Sequence, residues 1–118
     1  RWILDDVVRF VEKEVRRGNT YEGIIMDPPV YGHGPGGELW DFPKNFPELV
    51  KLCSQLLSDK PLFVIVNAYA ISASSIMLEN VLRDHLTKGK VEVGELAIQE
   101  SSGKRLLSTG IFARWSAE

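Results

Sequence analysis

The chain has 118 residues and a mass of 13.3 kDa, enough for one compact domain. Apolar residues make up 44% and charged residues 25%, near globular averages, which excludes a disordered or collagen-like chain. A net charge of −2 gives no overall basic character that would point to nucleic acid, and a single cysteine excludes an intrachain disulfide or a cysteine-built zinc site.

The first residue is Arg1 rather than Met, and Arg1-Trp2-Ile3-Leu4 reads as the end of a strand. Strands run to about five or six residues, so a longer protein cut upstream of Arg1 is expected; proteolytic maturation would account for the same start. Asp5 and Asp6 offer an N-cap carboxylate. Val7, Val8, Val11 and Val15 then share a helical face with Phe10, opposite Arg9, Glu12, Lys13 and Arg16. Gly18 and Asn19 stop this helix. Tyr21 to Met26 is apolar on both parities, as in a strand covered on both faces, and Pro28-Pro29 ends it.

Val30 to Lys44 is glycine-rich and reads as a loop. Asn45 and Glu48 have capping-box spacing, which predicts a helix with Pro47 in its first turn and Leu49, Val50, Cys53, Leu56 and Leu57 inward. Pro61 to Tyr69 is the strongest strand, and Ser72 to Leu86 follows as a helix with Met77, Leu78, Val81 and Leu82 buried. The apolar parity switches between Val91/Val93 and Leu96/Ile98, which predicts a bulge at Gly94. Ser102-Gly103 reads as a hairpin turn, returning as Leu107 to Trp115. The order predicts an α/β fold: parallel strands with helices on both faces, finished by an antiparallel hairpin.

Two strings bear on chemistry. Gly32, Gly34 and Gly37 spell a Gly-x-Gly-x-x-Gly pattern, but Pro28-Pro29 precedes it and a proline-broken stretch follows. A dinucleotide fingerprint needs a strand before it and a helix after it, so a nucleotide-dependent oxidoreductase is disfavoured. Asp27-Pro28-Pro29-Val30-Tyr31 stands at the carboxyl end of a parallel strand, where ligands of open α/β sheets bind. The double proline holds a carboxylate and carbonyls rigidly; an ordinary strand-ending turn is the other reading of these residues. Cys53 lies on an apolar helical face and reads as structural. His33 and His85 read as exposed, while Trp40 and Tyr69 suit either a pocket wall or the core.

Taken with the order of elements, Asp5-Asp6-Val7 before a helix, Arg16-Arg17-Gly18, Tyr21-Glu22-Gly23-Ile24-Ile25 and Asp27-Pro28-Pro29-Val30-Tyr31-Gly32 resemble a known family. They look like the carboxyl half of a class I S-adenosylmethionine-dependent methyltransferase, in the subgroup related to bacterial 23S rRNA cytosine methyltransferases. The resemblance covers nearly the whole chain, with its specific motifs in residues 1 to 34. It implies a Rossmann-like sheet whose first strands and glycine-rich cofactor loop lie outside these 118 residues.

The resemblance also implies roles. Asp5, Asp6 and Val7 would lie at the cofactor, Asp6 matching the acid near adenine and Val7 offering its amide; helix capping is the competing account of one acid. Asp27, Pro28, Pro29 and Tyr31 would form the catalytic motif, with Asp27 also near the cofactor. Val30 separates the prolines from the aromatic, unlike the relatives that stack an aromatic on a flipped base. No cysteine stands at Asn67-Ala68-Tyr69-Ala70, where relatives that methylate a ring carbon carry their nucleophile. S-adenosyl-L-methionine is the expected cofactor and RNA an expected substrate, with no metal. A non-catalytic binding or scaffold module with this fold is the alternative. No stretch reaches the ~20 apolar residues of a membrane span and no signal peptide opens the chain, so a cytoplasmic setting without membrane contact is expected. Tyr21 to Met26, lacking one neighbour, is expected to self-associate or to be covered by the amino-terminal residues.

Overall fold

The computed structural model describes all residues, Arg1–Glu118. Helix α1 (Val7–Arg17) starts at Asp6, whose carboxylate accepts the Arg9 N–H at 3.0 Å, and stops at Gly18 in the left-handed conformation (φ 70°). Strand β1 (Gly23–Met26) follows, shorter than the apolar run, because Tyr21 makes only an isolated bridge to Leu57.

The stretch expected to be a loop contains a small antiparallel hairpin, β2 (Tyr31–His33) and β3 (Leu39–Asp41), with Gly32 opposite Trp40. The glycine string is therefore a hairpin connection, and Gly37 turns it at φ 83°. Helix α2 (Phe42–Ser54) starts three residues before the predicted Asn45. Asp41 is its N-cap residue, and the Asn45 side chain reaches back to accept the Asp41 N–H at 2.7 Å. That reverses the expected roles, and Pro47 sits inside the helix instead of in its first turn.

Strand β4 (Phe63–Ala68) leads to α3 (Ser75–His85), which begins later than Ser72 because Ala70 is left-handed (φ 53°) and Ser74 is extended. Strands β5 (Lys90–Gln99) and β6 (Leu106–Ser116) form the terminal hairpin. Its bulge is not at Gly94. Leu96 pairs with Gly110 and Ala97 with Ser108, so Thr109 is the extra residue on β6. The turn is wider than Ser102-Gly103, closed by the Glu100 N–H donating to the Arg105 carbonyl at 2.8 Å.

The sheet order is β1-β4-β6-β5, with β1 and β4 parallel and the other pairs antiparallel. This is the expected α/β class with its terminal hairpin. The helices, however, gather on one face. Ile24, Val64, Val66, Ala68, Ala113 and Trp115 pack toward Phe42, Phe46, Leu78 and Leu82, and α1 joins through Val11 against Leu49, Cys53 and Leu56. The other parity, with Ile25, Phe63, Ile65 and Phe112, carries no helix, and Ile25 is 69% exposed. Arg1–Leu4, expected as a strand end, pairs with nothing and is exposed. It therefore leaves the β1 edge uncovered.

A buried carboxylate ties α1 to the approach to β1. Glu14, 4% exposed, accepts from the Tyr21 hydroxyl at 2.6 Å, Asn19 at 2.7 Å and Arg17 at 2.9 Å.

Candidate functional site

The carboxyl ends of β1 and β4 lie side by side, because Met26 is in register with Val66. Asp27 leaves β1 at this end, exposed, followed by buried Pro28 and exposed Pro29. Neither proline has an N–H, so these two residues offer acceptors only. The Pro29 carbonyl accepts the Trp40 indole N–H, and the Val30 carbonyl accepts the Phe42 N–H at 3.0 Å. The Pro28 carbonyl keeps its lone pairs free beside Asp27. Trp40 thus anchors the turn to β3, a role that its place in a glycine-rich stretch did not single out.

Val7, Ile25, Met26, Asp27, Pro28, Pro29, Trp40 and Leu49 line one cleft of about 330 Å³. It brings together Val7, Asp27 and the two prolines, for which the family resemblance implied places at the cofactor and the reaction centre. Its walls are apolar and its one charged group is Asp27. A second cleft of about 360 Å³ lies across Trp40, lined among others by Asp6, Arg9, Glu12, Gly34 and Glu38. Here α1 meets the β2–β3 hairpin, and Arg9 forms an ion pair with Glu38. The Glu38 carboxylate also accepts the Gly36 N–H at 2.9 Å; backbone hydrogen bonding together with Arg9 holds its carboxyl below the usual range.

The remaining sequence candidates separate. Asp5 is paired with Lys13 at 2.8 Å instead, and that hydrogen bond holds its carboxyl below the usual carboxylate range. One oxygen of Asp6 is used as the helix cap, so capping accounts for that atom; the other faces the glycine loop near Gly34. Tyr31 is 60% exposed, outside both clefts, and meets His33 edge-on with ring centroids 5.5 Å apart. The aromatic wall of the Asp27 cleft is Trp40. Cys53 is buried in the α1–α2 contact, far from this role, and burial pushes its thiol up to about 11.

No protein-family model and no curated protein matches the chain. Solved structures do. An S-adenosylmethionine-dependent methyltransferase from Agrobacterium tumefaciens is 38% identical over 100% of this chain, with a TM-score of 0.93. SMU.776, assigned as a methyltransferase and complexed with SAH, is 19% identical over 95%, with a TM-score of 0.66. A further assigned methyltransferase, from Streptococcus mutans, is 18% identical over 95%, with a TM-score of 0.63. The chain spans 40% of the length of the Agrobacterium protein and 30% of each of the other two.

Proposed function

We propose that this chain, which has the fold of the S-adenosylmethionine-dependent methyltransferases, is the catalytic portion of such an enzyme. The observation that carries the reading is the Asp27-Pro28-Pro29 turn at the end of a parallel strand, all three residues lining one apolar cleft in which Asp27 is the only charged group. That cleft suits an adenosyl group: Val7, Ile25, Met26 and Leu49 supply apolar walls, Trp40 a flat one, and Asp27 an anion. S-adenosyl-L-methionine, when bound, supplies an electrophilic methyl group on a sulfonium, so the reaction is a displacement.

Displacement asks the protein for alignment and charge placement more than for a reactive side chain. The Asp27 carboxylate and the Pro28 carbonyl accept N–H bonds from an amine-bearing acceptor and turn its lone pair toward the cleft. The indole of Trp40 keeps the turn from rotating by occupying the Pro29 carbonyl. The buried thiol of Cys53 has no part in this. RNA as the acceptor rests on the resemblance of the motifs alone; the clefts are lined by Asp6, Glu12, Asp27 and Glu38 with Arg9 as their one cation, so a polyanion would draw its binding energy from elsewhere.

Asp27→Ala, measured in the longest available form of the protein, lowers methyl transfer by roughly 10²–10³ while cofactor affinity stays nearly unchanged. Equal loss of both would reassign Asp27 to cofactor binding or folding. One observation favours the rival reading of a non-catalytic binding module: the Asp5 carboxylate and one Asp6 oxygen are already engaged within the chain. Failure of the unaltered protein to bind S-adenosylhomocysteine would decide for that rival.

A further inference from the structure

A third cleft, of about 330 Å³, opens at the same end of the sheet, on the β4–β6–β5 side. It is lined by Ala68 to Ile71 and Ala73 on one wall and by Glu95 and Ser108 to Ile111 on the other.

The cleft is shaped by two backbone departures. Ala70 adopts a left-handed conformation (φ 53°) that an L side chain takes only under constraint, and this lifts Tyr69 to the rim, 57% exposed. Facing it, the bulge at Thr109 brings Gly110 so close that a Cβ there would stand 2.7 Å from the Ala68 carbonyl. The Thr109 hydroxyl is turned back onto the Leu96 carbonyl at 3.2 Å. Bulges of this kind often sit beside active sites, where they re-aim side chains.

The chemistry of the lining is one-sided. Glu95 is its only charged group, and the cations of the two strands, Lys90 and Arg114, are both paired with Glu92. The rest is alanine and isoleucine walls, a phenol edge and two hydroxyls. An anion would meet an uncompensated carboxylate here. An amine on a flat or apolar body would find a carboxylate for its N–H groups and surface for its body.

We infer that this cleft is a binding site for an amine-bearing group, with Glu95 as its specificity-determining residue and Tyr69 as its stacking rim. That the bound amine belongs to the methyl acceptor rests on the methyltransferase reading, because the cleft opens one strand over from Asp27; amine binding itself does not. The test is amide NMR of the 118-residue chain, titrated with benzylamine and with phenylacetate, which carry the same ring and opposite charge. Benzylamine shifts the amides of residues 68–73, 95 and 108–111 at millimolar concentration, and phenylacetate leaves them in place. Glu95→Gln weakens the benzylamine response about fivefold, the upper range for an exposed ion pair, and Tyr69→Ala weakens it independently. Equal responses to both compounds, no response to either, or unaltered affinity in Glu95→Gln would each overturn the inference. S-adenosylhomocysteine, titrated instead into the longest available form of the protein, because the cofactor loop is expected outside these 118 residues, reports at Val7 and Asp27. Loss of that response alone counts against the methyltransferase reading and leaves the amine site standing.

Discussion

With its thiol pushed up to about 11, Cys53 holds about one part in 10⁴ as thiolate at neutral pH. Its surroundings are Val11, Leu49 and Leu56. Cys53→Ser is therefore expected to leave methyl transfer within a small factor of the unaltered protein. It lowers stability by roughly 1–3 kcal/mol, because a hydroxyl enters an apolar contact. A folded but inactive variant, or a covalent adduct trapped at Cys53, would sink this. Trp40 is the opposite case, a side chain whose polar atom matters. Trp40→Phe keeps the flat wall but frees the Pro29 carbonyl, at about 1 kcal/mol of stability. With the turn no longer anchored, turnover should fall about three- to tenfold while cofactor affinity holds. Steady-state rates set beside calorimetric affinities separate this from a loss of binding.

Among the elements, α1 depends on its far end as much as on its cap. Glu14 closes that end on Tyr21, Asn19 and Arg17, and those hydrogen bonds hold its carboxyl below the ordinary value of 4.5. A carboxylate lowered on folding adds stability above its unfolded value and loses it as pH falls through the folded one. The same contact raises the Tyr21 hydroxyl above 10, so its contribution is also lost at strongly alkaline pH. Glu14→Gln is expected to lower the unfolding midpoint at neutral pH and to flatten the acid limb of the stability profile below about 4.5. Denaturant titrations at stepped pH would show it, and an unchanged acid limb would contradict it. The sequence displayed α1, β4 and the terminal hairpin because valine periodicity, β-branching and alternation are local signals. It hid β2–β3, since three-residue strands among glycines have no period to read. The start of α2 was displaced because Asn45 caps backward from inside the helix. At the site, the Asp-Pro-Pro turn was legible as a string. Trp40 was not, since its partner lies 11 residues away and only the hairpin joins them.

At the scale of the molecule, the chain exposes 8183 Å², whereas a compact monomer of this mass exposes about 6,500 Å². The difference, about 1,700 Å², is about twice what one partner contributes to an ordinary protein–protein interface. The radius of gyration, 15.5 Å, likewise exceeds the ~13.5 Å of a compact chain this long. Much of this surface lies on the helix-free face and along the open edge of β1, where Ile25 is exposed and Arg1–Leu4 stands clear. Such an edge recruits a strand. The 118-residue chain should therefore self-associate at micromolar to millimolar concentration, visible by sedimentation. A monodisperse monomer throughout that range would show that the edge is protected in some other way.

Beyond the Ala68–Ile111 pair the hairpin has no third strand, and Leu96, Ile98, Leu106 and Leu107 stand in water on a two-stranded ribbon. Ribbons of two strands are marginal by themselves, so this one opens without asking the core to melt. The protein then has two free energies, and a melting curve reports only the larger. Glu95 and Ser108 to Ile111 sit at the root of the ribbon. An occupant of that cleft would meet a wall present only for the closed fraction of the time, and its apparent affinity is scaled by that fraction. Anything that clamps the ribbon shut tightens binding without touching the ligand.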